Sequence, residues 1–256
     1  RRNLLLCFDA FGTLFSPRPG VPEQYVNVAR ECGFRGPLTV PAVTESFKKA
    51  FADQQRLYPN YGRASGMGAE KWWTNVIKFT FLPFNKKDEL PPELAPRLLR
   101  RFGSGEGYRI ADPNIPELIT QLKDRPRHLE GHTNRHRFDR VVVGVITNSD
   151  DRVPGILSSL GFAVSPLRFG SPPVDVPASP EQYQIDFHCM SYDVGVSKPS
   201  EGIFKAAELM AGEVLSASTE VESPLHDEQA SWTKIYVGDE FSNDVVGSMR
   251  AGWNSV

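Results

Sequence analysis

The stretch Leu4-Leu5-Leu6-Cys7-Phe8-Asp9-Ala10-Phe11-Gly12-Thr13 decides how the rest of the chain is read. A short, unbroken apolar run fits a strand buried on both faces, as in a parallel sheet. It ends in a carboxylate. Gly12 and Thr13 break the run, and Pro17, Pro19 and Gly20 mark a loop. An acid just past a buried parallel strand stands where open α/β sheets bind ligands. Alone, Asp9 is as well explained as a turn-capping residue, so the weight falls on what the later strands carry.

From about Val21 to Gly103 the apolar spacing is helical. Tyr25, Val26 and Ala29 give one face ahead of Gly33. Val43, Phe47, Ala50 and Phe51 give a second, and Trp72, Trp73, Val76, Ile77 and Phe79 a third. Leu90 to Phe102 gives a fourth, with Pro91 and Pro92 near its start. Beyond this helical region strands alternate with helices. Val141–Ile146, Ile185–Met190 and Ile235–Val237 read as strands. Ile115–Leu122, Val153–Leu160, Gly202–Met210 and Asp244–Ala251 read as helices, and one more strand is due near Val256. The alternation predicts an α/β fold with a doubly wound, Rossmann-like parallel sheet over residues 1–16 and 110–256, and an all-helical subdomain inserted over 17–109. Asp124–Arg140, Ser165–Gln184 and Gly212–Ser231 read as exposed, mobile insertions.

Length and composition bound the function classes. With 256 residues, 40% of them hydrophobic, the chain can bury a sizeable core and suits one α/β domain carrying a smaller one. The formal charge of −2 gives no reason to invoke a nucleic-acid partner. No apolar stretch approaches the ~20 residues of a membrane span, and no signal peptide is visible. Cys7, Cys32 and Cys189 are odd in number and widely spaced, so they read as reduced thiols in a cytoplasmic setting. Arg1 in place of an initiator Met leaves room for a trimmed targeting segment, so mitochondrial and nuclear settings stay open. The chain does not reveal its oligomeric state.

The later strand ends supply partners for Asp9. One strand runs into Thr147-Asn148, and another into Gly238-Asp239 with Asp244 five residues on. Lys198-Pro199 opens the helix near Glu201. Carboxylates, hydroxyls and an amine therefore converge on one edge of the sheet. A carboxylate held in line with an electrophile is a competent nucleophile. Clustered carboxylates repel unless a cation lies among them, and Mg²⁺ takes oxygen ligands and commonly binds substrate phosphate as well. Lys198 adds positive charge. Thr147 and the backbone N–H groups around Ala10 and Phe11 can hydrogen-bond a phosphoryl oxygen.

Four segments in order now resemble the haloacid dehalogenase superfamily. Phe8-Asp9-Ala10-Phe11-Gly12-Thr13-Leu14 resembles its first motif, and Gly144-Val145-Ile146-Thr147-Asn148 its second. Gly195-Val196-Ser197-Lys198-Pro199 resembles the third, and Val237-Gly238-Asp239-Glu240-Phe241-Ser242-Asn243-Asp244 the fourth. One such match is weak, but four in family order across residues 8 to 244 are specific. The helical insertion resembles the superfamily's helical cap, and the Trp72-Trp73 region resembles the eukaryotic hydrolase domain-containing subgroup. The resemblance implies Asp9 as nucleophile, Thr147 as substrate-binding hydroxyl and Lys198 as the cation paired with Asp9 and the transferred group. It places Thr13, Asn148 and Ala10 at the substrate. It implies Mg²⁺ held by Asp9, Asp239 and the backbone carbonyl of Phe11, with Asp244 acting through water or by orienting Lys198. The expected substrate is a small phosphorylated molecule.

One position departs from the phosphatase pattern. Phosphatases of the superfamily carry a second Asp two residues after the nucleophile, where this chain has Phe11. General acid–base help is worth ~10²–10⁴-fold, so a phosphatase with Phe11 is expected to be slow. The Asp-Ala-aromatic-Gly-Thr string is similar to 2-haloacid dehalogenases, whose halide leaves without a proton. Those enzymes use no metal and lack the Gly-Asp of the fourth motif. Asp239 thus favours an Mg²⁺-dependent phosphoric-monoester hydrolase, with a dehalogenase second and a catalytically weak scaffold third. Plainer readings remain for single residues: Thr147 as a helix cap, Asp244 as a helix N-terminal charge, and Trp72-Trp73 as packing rather than a substrate clamp. His128, His132 and His136 are spaced like metal ligands, but Arg125, Arg127, Arg135 and Arg137 surround them and favour a solvated loop.

Overall fold

In the computed structural model, which describes residues 2–85, 90–124, 138–171, 182–217 and 231–256, the opening apolar run is β1 (Arg2–Phe8). It is the middle strand of a five-stranded sheet with β4 (Arg140–Thr147), β5 (Phe187–Met190), β6 (Ser231–Val237) and β7 (Asn254–Ser255). Their order is β5-β4-β1-β6-β7. Every pairing is parallel. Leu4 on one face of β1 and Leu5 and Cys7 on the other are all buried, as an unbroken apolar strand requires. Phe8 lies level with Val237, so β1 and β6 end together, while β4 runs two residues past the paired Val145 to Thr147. The strands after β1 fall first on one side of it and then on the other, which puts the topological switch point at its carboxyl end.

The chain divides into two compact units. The first comprises Arg1–Phe15, Ile110–Ser149 and Gly161–Val256. In it α8 (Glu201–Ala217) lays Ile203, Phe204, Ala207 and Met210 against Leu5, Cys7, Val142 and Ile146 of the sheet. On α5 (Ile115–Asp124), Lys123 pairs with Asp186 at 2.6 Å, while the other Asp186 oxygen accepts the Val143 N–H. This is a doubly wound α/β core.

The second unit comprises Ser16–Arg109 with Asp150–Leu160. Its helices are α1 (Val21–Glu31), α2 (Val40–Leu57), α3 (Ala69–Phe81), α4 (Leu94–Phe102) and α6 (Val153–Ser159). Thr39 caps α2 by accepting the Ala42 N–H. Tyr25, Ile77, Phe81, Leu98 and Phe102 share one core, and Trp72 with Ala50 and Val76 forms a second. Residues 150–160 differ from the expected division, which assigns them to the core. Two contacts explain it: Gly105 N–H donates to Ser159 Oγ at 2.7 Å, and the Arg152 guanidinium stacks 4.5 Å over Trp73.

Several element boundaries also differ. Two short strands, β2 (Phe15–Pro17) and β3 (Tyr108–Ile110), form a separate sheet that the helical spacing gave no sign of. The last helix begins earlier than Asp244, as a π-helical turn over Phe241–Val246 that runs into α9 (Gly247–Arg250). The short α7 (Ser191–Val194) follows β5 directly. The first six residues of the expected insertion at Gly212 continue α8, and around the start of the insertion at Ser165, Val164 bridges to Ile185 just ahead of β5 and Arg168 to His188 on it. Most of the three insertions, and the three histidines of the first, lie outside the described residues. Among the described residues no helix is long and apolar enough to cross a membrane.

Candidate active site

Strand ends build the site. Asp9 follows β1 by one residue, and its N–H donates to the Val237 carbonyl at 2.9 Å, which ties the β1 and β6 ends together. Gly12 then turns the chain back with φ +86°, a conformation natural only to glycine. A Cβ there would lie 2.2 Å from Asp239 Oδ2, so only a residue without a side chain lets the first loop approach that acid so closely. Thr13 Oγ1 donates to Asp239 Oδ1 at 3.3 Å. Ligand oxygens from Asp9, Asp239 and Asp244 all lie within 4.8 Å of one another. The fold thus brings acids 230 residues apart in the chain to within 4.8 Å of each other.

Lys198 is the cation of the cluster. Its side chain is almost fully buried, and its ammonium lies 3.0 Å from Asp9 Oδ1 and 2.6 Å from Asp244 Oδ1. Asn148 holds its backbone: Asn148 Oδ1 accepts the Lys198 N–H at 2.7 Å and Nδ2 donates to the Lys198 carbonyl at 3.1 Å. Asn148, expected at the substrate, thus has a clear positioning contact. Asp244 is fully buried, with its second oxygen accepting the Glu240 N–H at 2.9 Å. Of its two expected roles, orienting Lys198 is the one with a visible contact.

Asp9 itself is buried. Burial pushes its carboxyl above the ordinary value, opposed by the Lys198 charge and a hydrogen bond from the Thr147 hydroxyl. The Ala10 N–H donates to Asp9 Oδ1 at 2.8 Å, so that amide faces the acid. Phe11, where an acid would sit in a phosphatase, instead packs edge-on against Phe15 at 4.8 Å between ring centroids. The donor set suits a hard divalent ion, since carboxylate oxygens that would otherwise repel lie within coordinating reach of a common point.

Sequence reasoning missed Tyr236. It lies on β6, fully buried, with its hydroxyl 2.8 Å from the Lys198 ammonium and 2.7 Å from the Ile146 carbonyl. The available signal was a phenol in an apolar strand three residues before Asp239, since a buried tyrosine hydroxyl must find a partner. Trp72 is fully buried, as the packing reading expects, and Trp73 Nε1 donates to Asp150 at 2.6 Å within the helical unit.

Fold and strand-end acids together define an α/β protein of the Rossmann-like class with a carboxylate-and-lysine centre. No family model matches the chain. A putative uncharacterized hydrolase of Schizosaccharomyces pombe is 29% identical over 252 residues, which are 98% of this chain and 88% of that protein. The haloacid dehalogenase-like hydrolase domain-containing protein 3 of Danio rerio is 26% identical over 245 residues, 96% of this chain and 80% of that protein. Among solved structures, the magnesium-bound putative HAD-hydrolase YfnB of Bacillus subtilis aligns with a TM-score of 0.56 at 15% identity, covering 100% of this chain and 88% of its own. Along nearly its whole length the chain is thus similar to haloacid dehalogenase-like hydrolases of the eukaryotic hydrolase domain-containing group, and it shares the fold of the magnesium-bound structure.

Proposed function

We propose that this protein is a Mg²⁺-assisted phosphoric-monoester hydrolase of low intrinsic rate, with Asp9 as nucleophile. The observation that carries the reading is the meeting of Asp9, Asp239 and Asp244 within 4.8 Å of one another, with the buried Lys198 ammonium paired to Asp9 and Asp244. Asp9 attacks phosphorus, the bond to the leaving oxygen breaks with that oxygen taking its proton from solvent because Phe11 supplies none, and an aspartyl phosphate forms; water then attacks that phosphorus, loses a proton to solvent, and releases inorganic phosphate as the Asp9 carboxylate is regenerated. Lys198 neutralises Asp9 and the transferred group, and Thr147 hydrogen-bonds a phosphoryl oxygen beside Asp9. Thr13 braces Asp239, Asn148 and Asp244 hold Lys198, and the Ala10 amide lies at the nucleophile. Asp9, Asp239 and the Phe11 carbonyl would hold Mg²⁺, with Asp244 acting through water or through Lys198, and the ion would supply charge to offset a phosphoryl dianion. The helical region over 17–109 acts as the cap that selects a small phosphorylated substrate.

Phe11 favours a second reading. With no carboxyl two residues after the nucleophile, a leaving group that needs no proton is served best, as in a 2-haloacid dehalogenase. A panel of phosphate monoesters and 2-haloacids, assayed with Mg²⁺ and with EDTA, separates the readings. Phosphate release that EDTA abolishes is expected. Halide release indifferent to EDTA would replace the phosphatase with the dehalogenase, and no release of either would leave a scaffold. Phe11→Asp should raise phosphate release by up to ~10²-fold; an unchanged rate would show that Phe11 does not limit turnover.

A further inference from the structure

The Lys198 ammonium has three protons and meets three acceptors: Asp244 Oδ1 at 2.6 Å, Tyr236 Oη at 2.8 Å and Asp9 Oδ1 at 3.0 Å. An ammonium can donate no more than three hydrogen bonds, so the buried group is saturated. The third leg differs from the other two. Tyr236 has a single hydroxyl proton, whose nearer acceptor is the Ile146 carbonyl at 2.7 Å, with Asp244 Oδ1 farther off at 3.4 Å. Toward Lys198 it therefore offers lone pairs only. Its ring is fixed as well, set edge-on to Phe204 at 5.3 Å between centroids. Tyr236 lies level with Cys7 of β1, so its hydroxyl reaches across the central strand to the residue just before Thr147.

We infer that Tyr236 is a positioning residue: its hydroxyl is a rigid, uncharged third acceptor that holds the Lys198 ammonium in the one orientation that also engages Asp9 and Asp244. A third carboxylate here would add negative charge to a site already rich in it, and an apolar side chain would leave one ammonium proton buried without a partner. The phenol satisfies the proton at no cost in charge. This rests on the catalytic reading for its effect on turnover, but not for its effect on Lys198 itself.

The test has two arms on the full chain, with Tyr236→Phe as the variant. In the first, the lysine side chains are ¹⁵N-labelled and the ammonium signals recorded by NMR near neutral pH, with Lys198→Met giving the assignment. Wild type should show a Lys198 signal protected from proton exchange, and Y236F should lose or broaden it while keeping its other resonances and its melting curve. In the second, Y236F should lower kcat for phosphate-monoester hydrolysis about 10-fold or more with KM little changed, because a slightly misplaced catalytic group costs rate rather than binding. An unprotected Lys198 signal in wild type, or an unchanged one in Y236F, overturns the inference whether or not the protein hydrolyses phosphate esters. A protected signal in a wild type that turns over no phosphate ester would retain Tyr236 as the support of Lys198 and sink the phosphatase reading instead.

Discussion

Two ionic clusters, one in each compact unit, differ in how completely their acids are matched. In the helical unit Asp150 is fully buried, and both oxygens are filled: Oδ1 accepts from Arg152 Nε at 2.7 Å and the Arg152 N–H at 3.1 Å, while Oδ2 accepts from Trp73 Nε1 at 2.6 Å and from Arg152 at 2.8 Å. One acid meets one base, and Trp73 closes the group. In the α/β unit one ammonium pairs with Asp9 and Asp244, and the exposed Asp239 brings a third carboxylate within 4.8 Å of those two. A matched, closed pair holds a fold in place, whereas acids in excess of their bases carry the charge that the proposed Mg²⁺ would offset.

The largest way to break this contrast is Asp9→Asn. Turnover should fall on the order of 10⁴-fold or more, while the melting temperature holds or rises, because burial already disfavours the Asp9 charge. Retained phosphate release would remove Asp9 as nucleophile, and a collapsed fold would make it structural. Asp150→Ala is expected to behave in the opposite sense. Removing one partner strands Arg152, so urea denaturation should show a loss of about 3–5 kcal/mol; a loss near zero would erase the distinction between the clusters.

His188 gauges burial without pairing. It is fully buried on β5; its Nδ1 lies 3.4 Å from the Leu167 carbonyl, and Nε2 has no partner among the described residues. Burial first, and then Arg168, lower it from 6.5 to about 4. The unfolded chain therefore takes up this proton before the folded one does, so stability is full above pH 6.5 and drains as pH falls toward 4. Across that window wild type should lose roughly 3 kcal/mol more than His188→Leu, measured as the difference between denaturation midpoints. Parallel curves would mean that the ring is solvated in solution. The smallest effect is expected at the exposed Glu45–Lys48 pair, 3.1 Å apart. Glu45→Gln should leave the denaturation midpoint unmoved, since solvent screens such pairs.

The sheet was legible because its signals are local and redundant. Leu4 to Phe8 and Val141 to Ile146 are too continuously apolar for anything but buried strands, and each runs into a polar residue at the switch point. Asp9, Lys198 and Asp239 were legible because four segments recur in a known order. What escaped depends on pairing between distant residues. β2 and β3 are three-residue strands with no alternation of their own. Asp150–Leu160 follows directly on a core strand, and only its contacts with Trp73 and Gly105 assign it to the helical unit. Tyr236 carries no motif, and its part is set by Lys198 and Ile146, which lie 38 and 90 residues away.

Gly12 has a wider bearing. Since a methyl group there would overlap the Asp239 carboxylate at 2.2 Å, the spacing between two acids is controlled by a residue with no chemistry of its own. Enlarging it would strain the left-handed turn and push the Asp239 carboxylate aside, shifting one of the acids any ion must bridge, with every reactive side chain still present. A survey of this molecule by reactive groups alone would pass over the position that sets its aperture.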